Sequence, residues 1–491
     1  MKDMLMTAIA MVAVASLAGC SANADLDTNT SGSNEQEETN VPVSFNSYLA
    51  QSKTTRAGEA TRASEMTKDE LQKTGFGVVA YYTGTGQYTS GTTKIEPNFM
   101  YNTQVSGSNW TYSPTVYWPN GGTKAGEVTP KEDAAYVSFF AYAPYKNVTL
   151  TDGKTGATTG ITALSTNATK GDPTVSYTLG ATGTDADLLI GTAGGDGNGN
   201  TTSGAKQIGT QLTNAKCSVN ANMTKMVVSG KVKFNFKHAL AKFGGTGAMG
   251  TDSKASGLMV VADIDNGTAT TGGTLDGSTK ITVKSIKIES VKAGADGKTM
   301  TTDASIPTSG TLNLATGVWT TNNNGKIDYE INSPKVTATE GATTQTMNTT
   351  IAEPASVADG ETGWNSLPVG VTTTAQSVYT ESTPLLLIPD GNDHILRISI
   401  DYIVRTKNAS LHKGYTEVEQ SFYKDLTLKS VSLNAKYNLL IHLGLTSVKF
   451  DATVSDWTNT IAGDTTSGTA SDPATAKDPI VIYMPQNVAA N

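Results

Sequence analysis

Between residues 75 and 450 the apolar side chains of this chain fall on every second position of short runs. Each run stops at a cluster of glycine, asparagine, aspartate or threonine. A period of two places alternate side chains on one face of a strand, and such clusters supply the turns between strands. The runs at 115–118, 136–142, 232–238, 281–288, 385–388, 395–404 and 439–450 all read this way, with glycine-rich turns at 194–200 and 244–250 between them. Long runs of helix formers are missing, and threonine, valine, isoleucine and tyrosine favour pleated, half-buried surfaces. The pattern predicts an all-β chain built of antiparallel sandwiches. No repeat of 20 to 50 residues is visible, which disfavours a solenoid or a propeller.

The first residues carry one basic side chain, Lys2, then a 14-residue apolar run from Met4 to Leu17, then Ala18, Gly19 and Cys20. That is the pattern of a secretory signal, and it is shorter than the roughly 20 residues a membrane-spanning helix needs. Leu17, Ala18, Gly19 and Cys20 resemble the lipobox of bacterial lipoproteins, in which the cysteine is acylated, although Asp3 weakens the charged region. An anchor of more than one acyl chain holds stably in a membrane. Cys217 is the one other cysteine, so a lipidated Cys20 leaves no disulfide, and packing must stabilise the fold. Cys217 lies in a polar stretch with no histidine near it in sequence, which reads as an ordinary thiol and not a nucleophile.

Residues 21–40 are polar and acidic, with too little apolar surface to offset the entropy of ordering, and read as a tether. Val41, Val43 and Phe45 then alternate as the inward face of a short edge strand, with Pro42 suiting an edge or a strand start. Arg56 and Arg62 follow, each in a Thr-Arg-Ala triplet. The Gly/Thr-rich stretch at 191–223 is the candidate domain boundary. The expected division is a signal over 1–20, a tether and first strand over 21–62, an N-terminal sandwich over 63–225 and a C-terminal one over 226–462. A linker and terminal strand follow over 463–491, in which Ile480, Ile482 and Met484 share one face.

The net charge of −8 argues against a nucleic-acid partner, which needs a basic face. Gly245, Gly247 and Gly250 match a dinucleotide fingerprint, but no helix pattern follows them, and a hairpin is the better reading. His238, His394, His412 and His442 show no zinc spacing, and Asp196, Asn198 and Asn200 lack the glycine and glutamate that a calcium loop requires. No nucleophile elbow is present. Trp110, Trp118 and Tyr142 could stack on sugars, but their place in strands points to core packing. The reading is a non-enzyme with no metal and no cofactor.

Several stretches resemble the fimbrillin family, the subunits and anchors of type V pili. Trp110, Tyr112 and Pro114, then Tyr117-Trp118-Pro119, then Ser138-Phe139-Phe140-Ala141-Tyr142 with Pro144, are similar to that family's first-domain motifs. The 232–243 segment, Thr311 to Leu314 with Gly317 and Trp319, and Asn434 to Leu439 running to Trp457 are similar to those of its second domain. Together they cover most of residues 41–457.

The resemblance implies two transthyretin-like β-sandwich domains and an exported surface lipoprotein of the outer membrane. It also implies assembly with other fimbrillin subunits by strand exchange. In polymerising members an Arg-specific protease removes an N-terminal strand, and the C-terminal strand of another subunit fills the groove. Here Arg56 and Arg62 would be the processing sites, Val41, Val43 and Phe45 the removable strand, and Ile480, Ile482 and Met484 the donor strand. Three large inward side chains contribute on the order of 5 to 9 kcal/mol before entropy. The alternative is a monomeric surface lipoprotein that binds a glycan or host receptor.

Overall fold

The structure, a computed structural model, describes residues 42–49, 66, 68–119, 136–180, 187–193, 220–223, 231–244, 248–249, 255–263, 277–297, 299–337, 344–347, 354–357, 360–378, 385–445, 448–456 and 480–482. All lie in one compact unit that falls within residues 40–491. The protein is all-β, as the alternation predicts, and among the described residues there are two helices, both of seven residues.

Helix α1 (Lys68–Thr74) has Asp69 and Glu70 in its first turn and Lys73 in its last, charges that match the helix dipole. Gly75 ends it in the left-handed region at φ 75°, donating its N–H to the Leu71 carbonyl at 2.8 Å. Leu71 is thereby held in the core beneath the first sheet.

That sheet contains β1 (Phe45–Leu49), β2 (Phe76–Gly84), β3 (Met100–Val105), β4 (Tyr136–Ala143), β7 (Leu189–Ala193), β8 (Asn220–Met223) and β9 (Val232–His238). Its order is β1-β9-β7-β4-β2-β3, with β8 beside β4. Strands β2 and β4 are buried on both faces and so carry continuous apolar runs in place of alternation. On one face Phe139 meets Phe45, Phe76 and Phe234 in one core cluster; on the other, Phe140 joins Val79 and Tyr81 in a second.

The second cluster is closed by a sheet of β5 (Gly160–Leu164), β6 (Thr174–Thr178), β16 (Ile306–Asn313) and β17 (Trp319–Gly325), in the order β17-β16-β6-β5. Val175, Tyr177 and Leu312 point into it, and the Trp319 Nε1 donates to the Ala239 carbonyl at 2.9 Å.

A second sandwich follows. One sheet holds β10 (Ala241–Phe243), β13 (Leu258–Ala262), β21 (Gln376–Ser377), β22 (Leu385–Leu387), β25 (Ala435–Leu443), β26 (Val448–Asp456) and β27 (Ile480–Ile482). The other holds β14 (Thr279–Ala293), β15 (Met300–Thr302), β18 (Asp328–Asn332), β23 (His394–Lys407) and β24 (Tyr415–Leu428). Val260, Leu439 and Ile441 of the first share a core with Ile286, Ile398 and Ile400 of the second. Two small hairpins, β11 (Ala248–Met249) with β12 (Ala255–Ser256) and β19 (Lys335–Thr337) with β20 (Thr344–Thr346), and helix α2 (Gly360–Ser366) complete the elements.

Several details differ from the sequence reading. The first strand runs from Phe45 to Leu49, later than 41–45, because residues 42–43 are held instead by the 116–117 segment. That segment, read as a strand over 115–118, makes only an isolated bridge at Tyr117. The 439–450 run is two strands, β25 and β26, which pair antiparallel as a hairpin. Strand β9 lies past the division at 225/226, yet it pairs with β1 and β7 of the first sheet. Likewise β6, from the N-terminal half of the chain, pairs with β16 from the C-terminal half. Sheet membership therefore does not follow that division.

Candidate functional site

The edge of the first sheet holds two of the sequence-predicted site residues, Val43 and Phe45. Strand β1 is the outermost strand and runs parallel to β9, with Phe45 opposite Val232 and Leu49 opposite Phe236. A parallel neighbour so close to an edge is held by slanted, slightly weaker pairing than an antiparallel one. Ahead of β1, the Val43 N–H donates to the Val116 carbonyl at 2.9 Å, and Pro42 makes an antiparallel bridge with Tyr117. On the β9 side the Val232 N–H donates to the Ser44 carbonyl at 2.8 Å. The Tyr112 hydroxyl, 2.8 Å from the Val43 carbonyl, fixes the same stretch, and burial raises its pKa above the usual value.

Side chains alternate inward along this segment: Val43 is 2% exposed, Phe45 1% and Ser47 6%. Phe45 enters an aromatic cage. Its ring stacks on Phe234 at 6.2 Å and meets Tyr112, Phe139 and Phe76 edge-on at 5.3, 6.1 and 6.3 Å. An outermost strand thus supplies a central residue of the core, whereas an edge ordinarily contributes little to it. Trp110, Trp118 and Tyr142 are buried in the cores that flank this sheet, as packing residues and not exposed sugar platforms.

The other predicted positions are distributed as follows. Cys20, Val41, Arg56, Arg62 and Met484 lie outside the described residues. Ile480 and Ile482 bound β27, which pairs antiparallel with β26 of its own chain: Phe450 opposite Ile482, Asp451 opposite Val481 and Ala452 opposite Ile480. The segment read as a detached strand therefore sits on an edge of the second sandwich, and the structure does not bring it to β1.

Two buried pairs escaped sequence reasoning. At the far end of β9, His238 Nδ1 lies 2.6 Å from Asp187 Oδ2; on β25, His442 Nδ1 lies 3.0 Å from Asp263 Oδ2. Their partners are 51 and 179 positions apart, so no local spacing could reveal them. Among the described residues no group of three His, Cys, Asp or Glu side chains could hold a metal ion. Within the Gly245–Gly250 motif, Ala248 and Met249 form β11 and pair with β12, while the glycines lie outside the described residues.

Fold and site define an all-β protein whose first sheet ends on a strand that fills the sheet's own core. The chain is similar to the fimbrium subunit Fim1C of Phocaeicola vulgatus, with 29% identity over 179 residues, which agrees with the fimbrillin resemblance. The match takes in 36% of this chain, and the chain spans 38% of the length of that relative. No family model matches. Among solved structures, a candidate cell-adhesion protein of Bacteroides uniformis aligns with 86% of this chain and all of its own, at 14% identity and a TM-score of 0.34. One of Bacteroides ovatus aligns with 85% of this chain and 97% of its own, at 13% identity and a TM-score of 0.32. Both likenesses are too loose to bear on function.

Proposed function

We propose that this protein is a structural, non-enzymatic subunit of a cell-surface fimbrium, exported as a lipoprotein acylated at Cys20 and assembled by replacement of β1. The observation that carries the reading is Phe45: a residue of an outermost strand that fills the centre of an aromatic core. Cleavage after Arg56 or Arg62 would cut the chain soon after Leu49 and leave β1 held only by pairing and packing. Its loss would open the β9 backbone edge and uncover Phe234 and Phe139, a groove shaped for an added strand with inward apolar side chains. Ile480, Ile482 and Met484 of another subunit have that pattern.

Burying Val43 and Phe45 stabilises the closed form by about 3 to 6 kcal/mol before entropy, so losing β1 leaves a strong demand for a substitute. The partners are then other fimbrial subunits and, through the lipid, the outer membrane. The test is a gel of unboiled protein after treatment with an arginine-specific protease. Wild type is expected to give a high-mass ladder and the Arg56→Ala, Arg62→Ala variant none; a ladder from the double variant refutes the reading.

A second reading has one observation in its favour: β27 pairs with β26 of its own chain, which closes the monomer. On that reading the protein is a monomeric surface lipoprotein that binds a glycan or host ligand. Sedimentation of the protease-treated protein as a single low-mass species would favour it.

A further inference from the structure

The inward row of the edge segment is Val43, Phe45 and Ser47, and its third member breaks the pattern. Ser47 lies opposite Phe234 in the β1–β9 register and is 6% exposed, and its Oγ is buried with no hydrogen-bond partner among the described residues. Its backbone N–H is satisfied by the Asn46 side chain at 2.9 Å, so the defect belongs to the hydroxyl alone. A hydroxyl taken out of water without a partner destabilises whatever buries it, and an apolar group of similar size at the same place does not suffer that penalty. Across the same core, the Trp118 Nε1 is also buried without a partner.

We infer that Ser47 is a built-in weak point of β1, a buried unpartnered hydroxyl that biases the groove toward a replacement strand carrying an apolar residue at that inward position. This rests on the strand-replacement reading. The C-terminal strand of a second copy meets the requirement in either direction of entry. With Ile482 in the place of Phe45, the Ser47 position receives Met484 in one orientation and Ile480 in the other. The exchange is then downhill for a reason local to one side chain: β1 buries two apolar groups and an orphan hydroxyl, and its substitute buries three apolar groups. Specificity follows too, because a strand with a polar residue at either outer inward position inherits the same defect in one of its orientations.

The experiment compares the intact full-length protein with Ser47→Val and Ser47→Ala, the second guarding against overpacking by the larger side chain. Both variants are expected to melt about 3 °C higher than wild type before cleavage. After cleavage by an arginine-specific protease they are expected to form ladders about tenfold more slowly, since the strand that must leave is better held. An unchanged or lower melting temperature in both variants overturns the inference, as does a raised melting temperature with an unchanged rate. If cleaved wild type forms no ladder, strand replacement itself fails and this inference fails with it. Ladders that form equally fast from all three proteins remove only the role of Ser47.

Discussion

The rings of Phe45 and Phe234 lie 6.2 Å apart with their planes only 16° from parallel, although one belongs to the outermost strand of the first sheet and the other to the strand beside it. Nearly two hundred residues separate them along the chain, and the parallel β1–β9 ladder brings them together. The contact joins the segment proposed to leave to the wall it would uncover.

Phe45→Ala and Phe234→Ala should each cost about 3 to 5 kcal/mol in the uncleaved protein. Because the rings pack on each other, the double variant should cost less than the sum of the two, with a coupling of about 0.5 to 1.5 kcal/mol. Denaturant unfolding of the four proteins measures it, and strict additivity would mean that the stacking contributes nothing of its own.

Removal of residues 457–491 should leave the melting temperature within about 2 °C of wild type, because β27 pairs with β26 over three residues only. The same truncation should abolish the protease-dependent ladder. A large fall in melting temperature would show that the terminal segment is an integral part of its own sandwich.

Lys242 and Lys436 are cross-strand neighbours on the parallel β10–β25 pair, both buried. Burial pushes the Lys436 amine down to about 8, and burial together with the Lys436 charge lowers Lys242 well below the usual lysine range. The unfolded chain then binds more protons than the folded one between pH 8 and the ordinary lysine pKa, so stability should rise with pH in that window. Denaturation midpoints measured from pH 7.5 to 10 should show the rise. Lys436→Met should flatten it and be more stable than wild type at pH 7.

Asp172 accepts four hydrogen bonds, from the Tyr88 hydroxyl and Ser90 Oγ at 2.6 Å each, from Asn313 Nδ2 at 2.9 Å and from the Gly91 N–H at 3.3 Å. Burial pushes its carboxyl up, but the bonds from Asn313, Ser90 and Tyr88 outweigh that and hold its pKa below the usual value. Its contribution is present at neutral pH and should be lost as pH falls through the carboxylate range. Asp172→Ala should cost about 2 kcal/mol at pH 7 and less at pH 3, read from urea midpoints at the two values.

The strand that the sequence announced most plainly has one face in a core and the other toward polar surroundings. Val232, Phe234 and Phe236 alternate with Lys233, Asn235 and Lys237, and β9 is legible from that alone. Strand β24 was missed because most of it is open to solvent: Glu417, Val418 and Glu419 are all exposed, so no apolar period survives. The pairing of β6 with β16 has no local signature either, since strands more than a hundred residues apart meet through the shape of the two halves together. At the candidate site, Val43 and Phe45 were visible as an inward pair. Ser47 was not, because a serine after an apolar alternation reads as the strand's end until burial shows it facing the core.

The five-rung β6–β16 ladder has a mechanical meaning. Two sandwiches joined only by a linker would swing apart when the chain is pulled, and the linker alone would carry the load. Here a sheet draws one pair of strands from each half of the chain, so tension along the polypeptide meets that ladder in parallel with the chain itself. Separating the halves requires breaking those rungs, so a hinge between them would have to form elsewhere.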